Sequence, residues 1–433
     1  MNKKQQIPFQ NLTKEGWINL GLAALVTFYI ILIADAIRKL TTCESIVIDY
    51  CAFWSAGRII NDHGIASVYD FNLLQKYQRD VFHIQSGLSF QPFAIMYLPI
   101  FILPFQLLSL INLQFSYLIW IIINLVGLIL YLRYFTKSIL GNSLPIRLLL
   151  IFLLPLPVFY NFYEGQVNLL MVIGVGEFIR GVLSDKHIKA GLWLGSLLIK
   201  PQFLILFLPF LLIQGKLKVL IGFLISFLAT MMISLFMIDI EGFIKLFNIL
   251  AVSAEGGFVS NPWAQMNWRM IGEHLTLYTS SSFGLTIAII GVILTAGVSL
   301  FIIGKKMDCD DDLFVIVVLG LLAATGSVAW HAHLHSSIIL IPPLLYLFMK
   351  NQISRRLLLY WVFVPVLALF IGSFVMLLGE RGILQDFIHQ LYLLVNSMVG
   401  FIFNMVFLIW ALVRLLRSDL LSQAINSTEK IDV

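Results

Sequence analysis

Long uninterrupted apolar runs recur along the chain from Trp17 to Leu416, and they constrain its fold more than any other feature. A helix that crosses the hydrocarbon core of a membrane needs roughly 20 consecutive apolar residues. The runs are continuous and do not alternate between apolar and polar residues, which indicates helices rather than barrel strands. We therefore predict an all-α polytopic membrane protein with about twelve transmembrane helices.

The composition agrees with this class. Hydrophobic residues make up 60% of the chain and charged residues only 12%, about half the charged share of a soluble domain. The net charge of +5 does not indicate nucleic-acid binding, because lysines and arginines form short clusters between apolar runs and so mark the cytoplasmic side. We expect membrane lipids as partners and no nucleic acid. Cys43 and Cys51 could form a disulfide if their loop is extracytoplasmic, or remain free thiols.

The basic clusters also divide the chain. Residues 1–16 are predicted to be a cytoplasmic N-terminus and residues 417–433 a cytoplasmic tail, on either side of one transmembrane domain over residues 17–416. The first run is too long for a cleaved signal peptide and is interpreted as an uncleaved anchor. The polar segments 38–91 and 239–282 are predicted to be outer loops. The first outer loop contains recurring aromatic and apolar residues, so we expect it to carry helices along the membrane surface.

Two apolar segments are interrupted. Residues 93–112 contain two internal prolines, and proline inside a helix costs about 3 kcal/mol, so a re-entrant or kinked segment is predicted. Residues 190–213 resemble one helix but carry Lys200 and Pro201 at their middle. A lysine at bilayer depth costs at least about 2.5 kcal/mol, so we predict two short helices that meet at Lys200. A full span at 93–112 together with a single helix at 190–213 would leave the total near twelve.

Polar residues gather at the predicted outer ends of the helices. On this topology they face one side of the membrane and could share a cavity. Such a set suits the transfer of a sugar from a lipid phosphate to a hydroxyl, which needs a base for the acceptor proton and cations for the departing phosphate. Asp49 would be the base, with Lys200 and Arg269 as cations. The groups are Ile48-Asp49-Tyr50, Tyr163 to Asn168, Lys200-Pro201-Gln202, Gln265 to Arg269, and the histidines His331, His333 and His335 after Trp330.

Several of these acids have a structural alternative. Asp49 could be an ordinary loop acid, and Glu164 could cap the helix that follows it. Asp62 and Asp70 are better explained as cap or turn residues.

The basic residues have alternatives as well. Lys200 could extend to a lipid headgroup, and Arg269 could bind headgroups. The three histidines could bind a metal, but side chains two residues apart on a helix diverge, so three ligands would need an extended segment. We therefore expect no metal and no cofactor.

The order and spacing of these residues resemble the polyprenol-phosphate-sugar-dependent glycosyltransferases of the C-type fold. The chain is most similar to glycosyltransferase family 87, which includes the mycobacterial phosphatidylinositol-mannoside mannosyltransferases. The resemblance is strongest over residues 45–215. Where the family usually has Tyr-Pro-Pro, this chain has Phe90-Gln91-Pro92-Phe93. The residues that carry the resemblance are Asp49, Tyr50, Ala56, Gly57, Gly64, Val68, Tyr69, Asp70, Pro92, Pro99, Pro104, Trp120, Asn124, Gly165, Gln166, Val167, Asn168, Gly191, Gly195, Lys200, Pro201, Asn267, Trp268, Arg269 and Trp330.

This resemblance implies an inverting transfer by single displacement, without a nucleotide-sugar and without a required metal. Asp49 matches the family's first-loop aspartate, the expected general base. The donor would be a polyprenyl-phosphate sugar, with mannose as the expected sugar, and the acceptor a lipid or glycan hydroxyl. The site would face the periplasm or exterior of the plasma membrane. The residues expected to bind the donor phosphate and substrate are Lys200, Arg269, Glu164, Gln166, Asn168, Asn267, His331 and His333.

Other function classes fit less well. A transporter or lipid flippase would need a polar path to both sides, whereas the polar groups lie on one predicted side. A polysaccharide polymerase or ligase also places polar loops outside, but such enzymes usually rely on a large arginine-rich later loop. A purely structural membrane subunit does not explain Lys200 or Glu164.

Overall fold

The computed structural model describes residues 13–41, 48–82, 90–254, 262–304, 310–379 and 385–429, and these form helices and connecting turns with no strand. This confirms the all-α prediction, since a helix satisfies its own backbone N–H and C=O groups in lipid. The α-helices in chain order are α1 Lys14–Thr41, α2 Asp49–His63, α3 Phe71–Val81, α4 Pro99–Leu108, α5 Leu113–Leu140, α6 Ile146–Leu153, α7 Leu156–Tyr163, α8 Leu169–Leu183, α9 His187–Leu194, α10 Phe207–Ile213, α11 Leu217–Ala254, α12 Trp268–Leu275, α13 Ser281–Gly304, α14 Asp311–Val328, α15 Ile341–Met349, α16 Arg355–Gly379 and α17 Gln385–Glu429. The short 3-10 helices are Ile65–Tyr69, Gly195–Ile199, Pro201–Leu204, Pro262–Ala264 and Leu334–Leu340.

Among the described residues, 7 helices are long and apolar enough to cross a membrane, which confirms a multi-span protein. The helices α6 and α7 meet at 68°, and the number of candidate spans in the described residues is 8 if this bent pair counts as one span. The predicted count of about twelve is not confirmed, because α8 and α15 have only 15 and 9 residues, short of the roughly 20 that a span needs. The long helices are α1, α5, α11, α13, α14, α16 and α17.

The predicted break at Lys200 is confirmed. Helix α9 ends at Leu194, and two 3-10 helices follow with Lys200 between them in an extended conformation, φ −135° and ψ 79°. The proline ring at position 201 disfavours the helical conformation for the residue before it. The chain therefore leaves the helix at the position of its buried lysine.

The segment predicted as the first outer loop contains α2, a 3-10 helix and α3, so helices are present there, and α2 is largely covered by protein. Its Phe53 ring stacks on Phe105 of α4 with centroids 4.7 Å apart. Gly57 lets the two backbones approach, since a Cβ there would lie 2.0 Å from the Phe105 oxygen. Asp70 caps α3 by accepting a 3.0 Å hydrogen bond from the Leu73 N–H, as expected. Within residues 93–112, α4 has only 10 residues, which agrees with an interrupted segment.

Three further features of the predicted loops are Asp62, the cysteines and the start of the second loop. Asp62 lies in the last turn of α2, where its carboxylate accepts a 2.9 Å bond from the Tyr77 hydroxyl. Cys51 is a buried free thiol of α2, and Cys43 lies outside the described residues. The predicted second loop, 239–282, starts as helix, because α11 continues past a sharp kink at Asp239, φ 53°. The Asp239 carboxylate caps the continuing helix by accepting a 2.9 Å bond from the Gly242 N–H.

Candidate functional site

Asp49 stands in the first turn of α2, half-buried, and two elements from another part of the chain contact it. Its Oδ2 accepts a short hydrogen bond from Gln166 Nε2. Its backbone N–H donates to Glu164 Oε2 at 3.2 Å. Loss of contact with water raises the pKa of Asp49, while the charge of Lys200 and the bond from Gln166 lower it. The first loop thus places the Asp49 carboxylate against the turn between α7 and α8.

Lys200 lies on the other side of Gln166. Its Nζ donates to Gln166 Oε1 at 3.1 Å and lies 3.0 Å from His335 Nε2. Gln166 turns its oxygen to Lys200 and its NH₂ group to Asp49, the orientation that a protonated lysine requires, since an ammonium group has no acceptor. Burial lowers the pKa of Lys200 to about 7, and the charge of Asp49 opposes this shift. Gln166 is only 3% exposed. One buried amide therefore joins the carboxylate to the ammonium. Lys200 itself is buried, which contradicts the alternative that it extends to a lipid headgroup.

Glu164 caps a different helix from the one considered in the sequence. Helix α8 begins at Leu169, after the predicted start, and Glu164 instead accepts the first N–H of α2. Burial and the neighbouring Asp49 raise the pKa of Glu164 to about 8. Glu164 thus anchors the start of α2 beside Asp49.

Asn168 and Asn267 connect segments of the site. Asn168 Nδ2 donates to the His335 carbonyl at 3.2 Å. Asn267 Nδ2 donates to the Ala329 carbonyl at 2.7 Å, and its Oδ1 caps α12 through the Met270 N–H at 3.0 Å. Both side chains are buried, so their contacts within the described residues hold the protein together around the site.

The three histidines do not share one extended segment, because only the chain up to His333 is non-helical and His335 lies in the 3-10 helix Leu334–Leu340. His333 pairs with Gln265 in an isolated antiparallel bridge. The ring centroids of His331 and His333 are 4.7 Å apart, and those of His333 and His335 are 5.6 Å apart. Burial lowers the pKa of His331 to about 4 and that of His333 well below its usual value, so both rings are neutral. Within the described part of the chain, no group of three His, Cys, Asp or Glu side chains is arranged to hold a metal ion.

Arg269 lies at the far end of the histidine row from Lys200. Burial, and then the charges of Lys200 and Arg269, lower the pKa of His331. The Arg269 guanidinium lies 5.3 Å from the centroid of the Trp330 ring, and Trp330 is 42% exposed. The predicted polar groups are therefore brought together, but Arg269 stands in a pocket of its own rather than beside Lys200.

Three contacts of the site were not predicted from the sequence. His335, left out of the expected binding residues, is the histidine that contacts Lys200. Ser336 Oγ lies 3.5 Å from the same ammonium, and Gln202 Nε2 donates to the His331 carbonyl at 3.0 Å. Equal spacing made the histidines equivalent in the sequence, and only the fold distinguishes them.

Comparison with known proteins gives one match. The model of glycosyltransferase family 87 matches residues 95–327, more than half of the chain. No curated protein and no solved structure matches. The matched range includes Gln166, Lys200 and Arg269, whereas Asp49 precedes it and the histidines follow it.

Proposed function

Because the chain belongs to glycosyltransferase family 87, and is thus a membrane glycosyltransferase, we propose that it uses a polyprenyl-phosphate sugar as donor. The sugar would pass with inversion to a hydroxyl of a lipid or glycan, and mannose is the first sugar to test. The observation that carries this proposal is the single amide of Gln166 between Asp49 and Lys200. It places a candidate base and a candidate phosphate partner next to each other.

Asp49 acts as the general base in this proposal. The acceptor oxygen forms a bond to the anomeric carbon, the bond from that carbon to the phosphate oxygen breaks, and the acceptor proton passes to the Asp49 carboxylate. A general base works best when its pKa is near the operating pH. The raised pKa of Asp49 is in the direction that this role requires.

Lys200 stabilises the departing phosphate. A cation that is held in place and shielded from water offsets growing negative charge more strongly than one in solvent. Lys200 is buried and is held by Gln166 and His335. The neutral His331 and His333 rings can donate hydrogen bonds without adding to the repulsion between cations.

Gln166 is a positioning residue in this scheme rather than a substrate ligand. This role replaces the expectation from the sequence that Gln166 binds the donor phosphate or substrate. Its Nε2 donates to Asp49 and its Oε1 accepts from Lys200. Since the amide is almost completely buried, it holds the carboxylate in one orientation while the acceptor approaches.

An assay of the purified protein in nanodiscs tests the function. The protein is incubated with several polyprenyl-phosphate sugars, and donor consumption is followed by mass spectrometry. We expect Asp49→Asn and Asp49→Ala to lower transfer by at least about a hundredfold, the usual contribution of a general base. Asp62→Asn, at the exposed end of the same helix, is the matched control. Wild-type rates in both Asp49 variants, or use of a nucleotide-sugar alone, would contradict the proposal.

A further inference from the structure

We propose that the pocket of Arg269, Glu273 and Trp330 binds a neutral sugar ring, the saccharide part of the acceptor. This inference rests on the proposed glycosyl transfer, which leaves the acceptor open between a plain lipid and a glycan. It names the acceptor as sugar-bearing and assigns its ring to a site separate from Asp49 and Lys200.

The pocket is a cavity of about 230 Å³ between α12, α13 and the segment after α14. It is smaller than the roughly 300–1,000 Å³ of sites for drug-sized ligands, so it suits one small ring. Two glycines bring α12 and α13 together, since a Cβ on Gly272 would lie 2.5 Å from the Gly284 oxygen. The lining residues are Arg269, Gly272, Glu273, Thr276, Ser281, Leu285, Ala288 and Trp330.

The charges of the pocket favour a neutral polyol over a phosphate. Arg269 Nε lies 3.7 Å from Glu273 Oε1, so one wall carries both signs of charge. A phosphate would be attracted by the guanidinium and repelled by the carboxylate, whereas sugar hydroxyls can accept from the first and donate to the second. Within the described residues, the buried Arg269 Nε has no hydrogen-bond partner. A buried donor without a partner calls for an explanation, and the oxygen of a bound sugar would supply its missing acceptor.

Trp330 supplies the apolar contact that a sugar ring requires. Trp330 is 42% exposed and lines the pocket. The C–H groups of a sugar ring can pack against such a flat ring by dispersion. Arg269 lies over the indole at 5.3 Å and holds it in place.

The position of the pocket assigns it to the acceptor. Trp330 directly precedes His331, and the rings of His331, His333 and His335 form a row with centroids 4.7 and 5.6 Å apart that ends at Lys200, whose Nζ lies 3.0 Å from His335 Nε2. A donor phosphate at Lys200 would therefore lie across the histidine row from the pocket. The sugar that leaves the donor must stay close to that phosphate, so a ring at Arg269 belongs to the other substrate.

Ligand-detected NMR measures binding without turnover. Saturation-transfer difference spectra are recorded for the full chain in nanodiscs with methyl mannoside, glucoside, galactoside and arabinofuranoside as probes. We expect at least one glycoside to bind, and Trp330→Leu and Glu273→Gln to weaken it about tenfold, the effect of losing one good contact. Glu241→Gln is the matched control, because Glu241 forms an exposed pair with Lys245 at the same i,i+4 spacing that Glu273 has with Arg269.

Each outcome decides the proposal. No signal from any of the four glycosides, or equal binding in wild type and the conservative Glu273→Gln variant, would overturn it. Displacement of the glycoside by glycerol phosphate would also overturn it, because the pocket would then prefer an anion. Consumption of polyprenyl-phosphate sugar donors is measured on the same samples, in which the hydroxyls of the glycoside can act as acceptor. A wild type that consumes no donor but binds glycosides would refute the proposed function and leave the sugar site standing.

Discussion

Gln166 lies between Lys200 and Asp49 and forms a hydrogen bond with each of them. The three residues come from different elements, and their contacts are made by side-chain atoms alone. The sequence identified all of them as candidate site residues. Lys200 was one because a lysine at bilayer depth is rarely accidental, and Asp49 and Gln166 because they lie in polar groups at the predicted outer ends of helices. The sequence could not show that Gln166 faces its neighbours rather than the substrate. That orientation depends on which acceptor the Lys200 ammonium finds in the folded protein.

Replacing Gln166 tests this role. The bond from Gln166 lowers the pKa of Asp49, so Gln166→Leu should raise it. The base must be ionised to act, and activity should therefore begin at higher pH in the variant. We expect the acidic limb of the pH–rate profile to move to higher pH and kcat to fall, with the donor KM little changed.

The control for this variant is Gln75→Leu. Gln75 lies in α3, and its side-chain amide donates a hydrogen bond to the Phe90 carbonyl, which the variant would lose. It should leave the pH profile unchanged. A Gln166→Leu enzyme whose pH profile coincides with that of the wild type, or whose donor KM alone rises, would show that Gln166 is not a positioning residue for Asp49.

At the scale of elements, short helices in close contact place the site residues. Asp49 is carried by α2, and α2 is held by α4 through the stacked pair Phe53 and Phe105. Prolines and Lys200 allowed the interrupted helices to be predicted, because the backbone conflict is local. The partner of each short helix was not predictable, since apolar faces of similar composition can pack against many surfaces.

Gly57→Ala tests the contact between α2 and α4. An added Cβ would meet the Phe105 oxygen at 2.0 Å, so the helices must separate. Overpacking of this kind costs about 1–3 kcal/mol, and we expect a lower melting temperature and lower transfer activity. Gly297→Ala in α13 is the control, because its Cβ would meet nothing within 4 Å. Equal melting temperatures for the two variants would show that α2 and α4 do not need the close approach.

At the scale of the whole molecule, polar contacts occupy both ends of α1. Asp49 follows its carboxyl end, while Glu15 at its start accepts bonds from Arg355 at 2.6 and 2.9 Å and pairs with Arg147. These contacts join the beginnings of α1, α6 and α16. The ion pairs of Glu15 thus lie at the end of α1 that the predicted topology assigns to the cytoplasmic side.

Cysteine labelling tests that sidedness in a background without native cysteines. We expect a reagent that cannot cross the membrane to label Asp62→Cys and Trp330→Cys from the outside. Lys186→Cys and Asn351→Cys should be labelled only from the cytoplasmic side, because α8 and the α15 segment lead away from the site to these positions. Labelling of the Trp330 and Lys186 variants from the same side would refute the predicted topology.

The sequence by itself determined that the chain spans a membrane as helices, where its apolar segments break, and which polar residues are candidates for chemistry. These follow from local physics: the length of apolar runs, the geometry of proline and the cost of a charge in lipid. The tertiary structure decided that His335 contacts Lys200, that Glu164 caps α2, and that Arg269 stands with Trp330 in a separate pocket. These contacts join residues far apart in the chain, and their partners are selected by packing and by the need to pair every buried polar group.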